Sequence, residues 1–216
     1  MKSEQPVSIN PANSVFVVVD VENEFCRPGG ARYTDTSARL IPTFIPAITA
    51  LVEKVRAAKI PIIYIHSVRT LKETEFTVFG RDKHLELGSW GAEIIDEIKP
   101  RQGDTVIDKF SHDCFFRKDL DQTLKKLVPE PTHCQAIITG GALNICGYHA
   151  TMGFYVRDYW TAVVTDCCFY SIDTAKDFAL NQFSLAAYPN IFLTRSDLIQ
   201  VSSVAAPGRP KLVPGS

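Results

Sequence analysis

The 216-residue chain has no apolar run approaching the ~20 residues needed to cross a bilayer as a helix. Its opening residues, Met1 to Pro6, hold no apolar stretch of the kind that marks a secretory leader. Net charge is almost absent. Lys and Arg number 23 against 24 Asp and Glu, leaving −1, too little for the basic footprint of a nucleic-acid or anionic-lipid binder. No Cys-x-x-Cys pair occurs, and His66, His84, His112, His133 and His149 share no metal-ligand spacing. Internal repeats and domain linkers are missing as well. The expectation is one domain over residues 1–216 in a reducing cytoplasm, without metal or other cofactor and without nucleic-acid or membrane partners.

Hydrophobic residues make up 45% of the chain and charged residues 22%, a mixture able to bury a sizeable core. Six short runs rich in β-branched residues recur: Val15–Val19, Ile60–Ile65, Thr105–Ile107, Gln135–Thr139, Thr161–Thr165 and Ile191–Thr194. They show little polar alternation, as expected of strands covered on both faces in a parallel sheet. Helical spacing fills the gaps. Leu40, Ile41, Phe44, Ile45, Ile48, Leu51, Val52 and Val55 share one stripe. That helix is placed from about Pro46 to Ala58, because an interior proline removes a helix hydrogen bond and Pro42 and Pro46 crowd its start. Further helices are expected around Ile94–Ile98 and Leu120–Leu127, from Asn144 to about Tyr159, and from Thr174 to Ala187. The order predicts right-handed crossovers and an α/β fold, a three-layer α-β-α sandwich around a six-stranded, Rossmann-like parallel sheet. Residues Ser67 to Ser89 show no clear period, which predicts a functional loop or an oligomer contact. The core spans about 14–200, and the Pro- and Gly-rich end, 205–216, reads as a flexible arm.

In open α/β sheets, ligands bind beyond the carboxyl ends of the strands. Three ionisable side chains fall there. Cys146 follows the fourth run and two glycines, Gly140 and Gly141, near the first turn of a predicted helix. Six cysteines are present, and a free cysteine is most often a small core residue, so its neighbours must mark any exception. Unpaired N–H groups and the dipole at a helix start favour negative charge, so a thiol there is expected to ionise more readily. Asp20 ends the first run. A carboxylate after four apolar residues is costly to bury alone. It can take a thiol proton and return it to a leaving amine, although a loop or helix cap is the plainer role. Lys109 follows the third run and can balance both a thiolate and the carboxylate; a solvated strand-end lysine is the commoner case. The N–H groups of Ala142 and Cys146 can face a developing oxyanion. If the three strands are neighbours, these groups converge as an acyl-transfer site.

Taken in order, the motifs resemble those of the isochorismatase-like cysteine hydrolases, from about Ser14 to Gln200. The family's first strand leads into D-x-Q-x-x-F; here it leads into Asp20-Val21-Glu22-Asn23-Glu24-Phe25. A lysine follows its third strand, as Lys109 does before Ser111–Phe115. Its nucleophile lies in G-x-x-T-N-x-C, matched by Gly140-Gly141-Ala142-Leu143-Asn144-Ile145-Cys146. Arg157-Asp158-Tyr159 and Val163–Asp166 are similar to the family's helix end and fifth strand. The resemblance implies a catalytic Asp20, Lys109 and Cys146, an oxyanion hole at Ala142 and Cys146, a cis peptide before Ala142, and a homo-oligomer, dimer or tetramer. Two positions depart from the pattern. Glu22 stands where glutamine is usual, and Leu143 replaces threonine. Glu22 can read a cationic or N–H-rich substrate, or pair structurally.

Nicotinamidases of the same superfamily carry a metal in a D-x-H…H arrangement. The corresponding stretch, Tyr64–Thr70, has no Asp-x-His, and His66 reads as a strand-end hydrogen bonder. Isochorismatases proper cleave a vinyl ether and can lack the cysteine, so the retained Cys146 points to C–N hydrolysis. Lys109–Leu120 and Arg157–Tyr159 look most similar to amidohydrolases of ureido or carbamoyl compounds, such as ureidoacrylate amidohydrolase, biuret hydrolase and N-carbamoylsarcosine amidohydrolase. The expected activity is cysteine-dependent hydrolysis of a small non-peptide amide through a thioester, releasing ammonia or an amine. Vinyl-ether hydrolysis, and a non-catalytic binding role on the same fold, are the alternatives. Glu22, Phe25, Trp90 and Phe115 are the expected substrate contacts, with Phe116 as a further pocket wall, although aromatic rings more often belong to the core. His112 is open between a pocket lining and ordinary loop polarity.

Overall fold

A computed structural model describes residues 2–70, 72–128 and 130–201; the arm expected at 205–216 lies outside them. In chain order the elements are β1 (Val7–Ile9), β2 (Ser14–Val19), α1 (Asn23–Cys26), α2 (Asp35–Ala57), β3 (Ile62–Ser67), α3 (Thr74–Thr77), β4 (Thr105–Lys109), α4 (Asp119–Leu127), β5 (Gln135–Gly140), α5 (Cys146–Tyr155), β6 (Trp160–Cys168), α6 (Ala175–Phe183), β7 (Ile191–Thr194) and β8 (Ile199–Val201). Six of the strands form one sheet in the order β4-β3-β2-β5-β6-β7, and every neighbouring pair is parallel. The order reverses between β2 and β5, which opens a crevice at their carboxyl ends.

Each face of the sheet is apolar because the side chains of a strand alternate. Val15, Val17 and Val19 of β2 pack with Leu120 and Leu124 of α4, Ala150 and Phe154 of α5, and Leu180 and Phe183 of α6. Phe16 and Val18 point the other way, into a cluster with Ile41, Phe44, Ile48, Leu51, Val52 and Val55 of α2. The three-layer sandwich read from the sequence is the architecture observed. Among the described residues no helix is long and apolar enough to cross a membrane.

Several boundaries differ from the expectation. The helix placed from Pro46 begins at Asp35 and runs unbroken through Pro42 and Pro46. Thr34 caps it by accepting the Ser37 N–H. Burying the apolar stripe of Ile41, Phe44 and Ile48 offsets the lost proline hydrogen bonds, since a large apolar side chain contributes about 1.5–3 kcal/mol when fully buried. The helix expected around Ile94–Ile98 is only a 3-10 turn, Asp96–Ile98. The segment expected to be helical from Asn144 starts at Cys146 and ends at Tyr155, and α6 is shorter than Thr174–Ala187 at both ends. A two-stranded parallel pair, β1 with β8, has no counterpart in the sequence reading. Among its described residues, the unpatterned stretch from Ser67 contains only the single helical turn α3, and a bridge between Arg69 and Glu86 closes its base.

Candidate active site

Two glycines make the crevice. A side chain on Gly140 would place its Cβ 2.0 Å from the Val19 carbonyl oxygen, and its φ of +88° is one that L residues rarely adopt. The Gly141 N–H donates to that same oxygen at 2.8 Å. The chain leaving β5 is therefore drawn against the end of β2, where Asp20 sits at φ +49° in the left-handed region. The Gly141–Ala142 peptide is cis, as the family resemblance implied.

The loop that leads to Cys146 is fastened from behind. Leu143 N–H donates to Phe169 O at 2.8 Å. The Asn144 side chain donates to Ser171 Oγ at 2.8 Å and accepts the Ser171 N–H at 3.0 Å. Ala142 O accepts the N–H groups of Ile145 and Gly147. In contrast, the N–H groups of Ala142 and Cys146 make no backbone hydrogen bond among the described residues, so both are free to face an incoming oxygen at the start of α5. Asn144 thus holds the loop in shape, and the buried Leu143 fills core where the family pattern has a hydroxyl.

Asp20, Lys109 and Cys146 meet there, all three buried. Lys109 Nζ lies 2.8 Å from Asp20 Oδ2 and donates to Cys146 Sγ at 3.4 Å. It also donates to Ser67 Oγ and Ser111 O, each at 3.2 Å. The strands are not all neighbours, however. β2 adjoins β5, whereas β3 separates β2 from β4. Two strand spacings, about 10 Å, are bridged by the long lysine side chain, which passes Ser67, its register partner at the end of β3.

The charges are strongly coupled. Burial alone would lower the Lys109 ammonium, but Asp20 and Cys146 outweigh it, so the group is raised and stays charged. Burial pushes the Cys146 thiol well up and Asp20 pushes it further, against the pull of Lys109. This corrects the expectation that the thiol ionises readily: desolvation, reinforced by Asp20, moves it the other way. Cys146 therefore rests as a thiol. Burial and then Asp20 also raise Glu22 well above the usual carboxylate range.

The remaining expected contacts scatter. Glu22 is wholly buried, with Oε1 accepting the Ser67 N–H at 2.7 Å. It is therefore a support beneath Ser67 and Lys109 and presents no open wall. Phe25 is half-buried with its ring 6.1 Å from that of Phe169. Trp90 is half-exposed, and its carbonyl accepts the Asn23 side-chain amide. Phe115 faces α5 and not open space. Its ring lies edge-on to Phe154 at 5.0 Å and under the Arg157 guanidinium at 3.8 Å, which takes it out of a pocket wall and into the core. Phe116 is exposed to solvent.

Three residues gain importance: Ser67 and Arg69, to which the sequence gave no role, and His112, which it left open between a pocket lining and loop polarity. Ser67 links Lys109 to the buried Arg69, whose Nη1 donates to Ser67 Oγ at 3.4 Å while its Nε donates to Glu75 at 2.6 Å. His112 places Nδ1 3.4 Å from Cys146 Sγ. Only the strand end at Ser67 could have signalled them, because the rest depends on register and loop path. His66 is engaged by Asp108 Oδ1 and Ala92 O, as a strand-end hydrogen bonder should be. Among the described residues no group of three His, Cys, Asp or Glu side chains is placed to hold a metal ion.

Residues 14–194 match the family model of the isochorismatase domain. The chain belongs to the isochorismatase family. Among its relatives is ureidoacrylate amidohydrolase RutB of Methylobacterium radiotolerans, 26% identical over 228 residues that cover 95% of this chain and 84% of the relative. A cysteine hydrolase structure from Pseudomonas syringae pv. phaseolicola superposes with a TM-score of 0.75 at 22% identity, covering 91% of this chain and 94% of that one. N-carbamoylsarcosine amidase from Thermoplasma acidophilum gives a TM-score of 0.69 at 25% identity, covering 86% and 97%. This isochorismatase-family chain thus has the hydrolase fold and counts amidohydrolases among its relatives.

Proposed function

We propose that the chain is a cysteine-dependent amidohydrolase of a small non-peptide amide, of ureido, carbamoyl or carboxamide type. One observation carries the reading: a buried ammonium, Lys109 Nζ, lies 2.8 Å from Asp20 Oδ2 and 3.4 Å from Cys146 Sγ at the start of α5. Relatives named for ureidoacrylate and N-carbamoylsarcosine support the substrate class.

In this mechanism Asp20 removes the Cys146 proton as sulfur attacks the carbonyl carbon. The C–S bond forms and the carbonyl electron pair moves to oxygen. The Ala142 and Cys146 N–H groups stabilise that oxyanion, a contribution of about 2.7–4 kcal/mol per donor in comparable sites. Collapse breaks the C–N bond, and Asp20 delivers the proton to the departing nitrogen, releasing ammonia or an amine. Water then attacks the thioester with Asp20 again taking the proton, and the thiol is restored as the acid departs. Lys109 remains protonated throughout.

Ammonia release from a panel of ureido, carbamoyl and carboxamide compounds tests the reading. The expected result is turnover by the wild type and none by Cys146→Ala. Full turnover by Cys146→Ala would exclude covalent catalysis. Turnover of a vinyl ether alone would move the chain to the other chemistry of the family.

A further inference from the structure

The thiol of Cys146 has a second neighbour that the proposed mechanism does not use. His112, an exposed residue of the loop after β4, brings Nδ1 to 3.4 Å from Sγ. Lys109 is donor-only, so its contact with the sulfur uses a sulfur lone pair and leaves the thiol hydrogen without a partner there. Asp20 also acts on the thiol, through its charge and as a side-chain hydrogen-bond partner. Yet neither of its oxygens has a partner of good hydrogen-bond geometry among the described residues. The His112 ring nitrogen does have that geometry, and with the proton on Nε2 it accepts from the thiol. The His149 ring, one turn along α5 from Cys146, stacks on the His112 ring at 6.3 Å and 16°.

We propose that His112 is a second catalytic base on the nucleophile, forming a Cys–His pair that works beside Asp20 in the acylation half of the reaction. This deepens the amidohydrolase reading and rests on it. Along this second route, in place of Asp20, the Cys146 proton moves to His112 Nδ1 while the sulfur electron pair forms the C–S bond and the carbonyl pair moves to oxygen. When the tetrahedral intermediate collapses, the imidazolium gives that proton to the nitrogen as the C–N bond breaks. His112 ends the half-reaction neutral, and Asp20 remains available for water in the second half.

The surroundings suit a neutral imidazole at the start. Burial lowers its pKa, the cations Lys109, Arg69 and His149 lower it further, and Asp20 opposes them. A base must be unprotonated to act, so His112 is competent at neutral pH and loses competence as pH falls below the ordinary histidine value of about 6.5.

Alkylation of Cys146 by iodoacetamide, followed by peptide mass spectrometry across pH 5 to 8, reads this pair without any amide substrate. Its outcome is therefore independent of whether the substrate class is correct. His112→Gln is expected to slow alkylation by about ten-fold at neutral pH, less than the roughly 10²–10⁴-fold of a sole general base because Asp20 remains. The fall in rate on acidification that the wild type shows through His112 is expected to vanish. In His112→Ala, added imidazole is expected to restore the rate, which separates lost chemistry from a disturbed loop. Rates within two-fold of wild type for both variants at every pH would overturn the proposal. So would a slow His112→Ala that imidazole does not rescue and whose pH profile keeps the wild-type shape.

Discussion

Replacing Lys109 with methionine keeps most of the side-chain volume and removes the charge that joins Asp20 to Cys146. At 2.8 Å the Lys109–Asp20 attraction is about 6 kcal/mol for an effective dielectric of about 20. Both groups are almost completely buried, at 3% and 1% exposure, so solvent screens little of it. The variant also recovers the desolvation of the missing ammonium, and breaking one side of a buried pair costs about 3–5 kcal/mol net. Urea unfolding at pH 8 is expected to show that loss as a lower midpoint with an unchanged m-value. Adding Asp20→Asn to the variant is expected to restore part of the stability, because no unpaired charge is then buried. Hydrolysis is expected to be lost in either background. A deficit below about 1 kcal/mol would refute the reasoning, since that is the behaviour of a solvent-exposed pair.

Other expectations follow from the same geometry. Glu22, raised by burial and by Asp20, binds a proton more tightly folded than unfolded. Its contribution to stability is full below the unfolded value, 4.5 for a free side chain, and is lost as pH rises toward the folded value. Glu22→Gln keeps an acceptor for the Ser67 N–H and removes that titration. It is expected to flatten the fall in stability above pH 4.5, and an unchanged slope in pH-dependent unfolding would count against a neutral Glu22. Gly140→Ala brings a Cβ to 2.0 Å from Val19 O at φ +88°, and is expected to lose about 3 kcal/mol or more. A drop in melting temperature of about 6–12 °C corresponds to 3 kcal/mol in a domain of this size. An unaltered melting curve would show that the crevice does not depend on that close approach.

The parts of the site that local pattern can encode were legible. β-branched runs marked the six strands, and the paired glycines followed by Asn144 and Cys146 marked a strand-to-helix turn, because such turns are built from contiguous residues. Asp20 was legible as the polar end of an apolar strand. Lys109 was named for its position, but the way it reaches Asp20 past Ser67 depends on a sheet order that no local pattern carries. The same holds for β1 and β8, three-residue strands 190 residues apart whose pairing is entirely non-local. The start of α2 was misplaced because proline propensity was weighed without the burial of Ile41 and Phe44 that outweighs it. The ionisation of Cys146 was misjudged for a related reason. The helix start is visible in sequence, whereas the desolvation that dominates the thiol is a property of the assembled core. Phe115 shows the limit for aromatic side chains, since nothing in its neighbours says whether the ring faces a pocket or α5.

The central claim is that Cys146 becomes covalently acylated during amide hydrolysis. Rapid-quench intact-protein mass spectrometry tests it directly, with the wild type mixed with a turned-over ureido, carbamoyl or carboxamide substrate and quenched in acid. The account predicts an adduct equal to the substrate's acyl group, located by peptide mapping on Cys146, that forms within one turnover and decays as acid product accumulates. Product formation with no adduct on Cys146 at any time, together with an adduct-free but active Cys146→Ala, would contradict it.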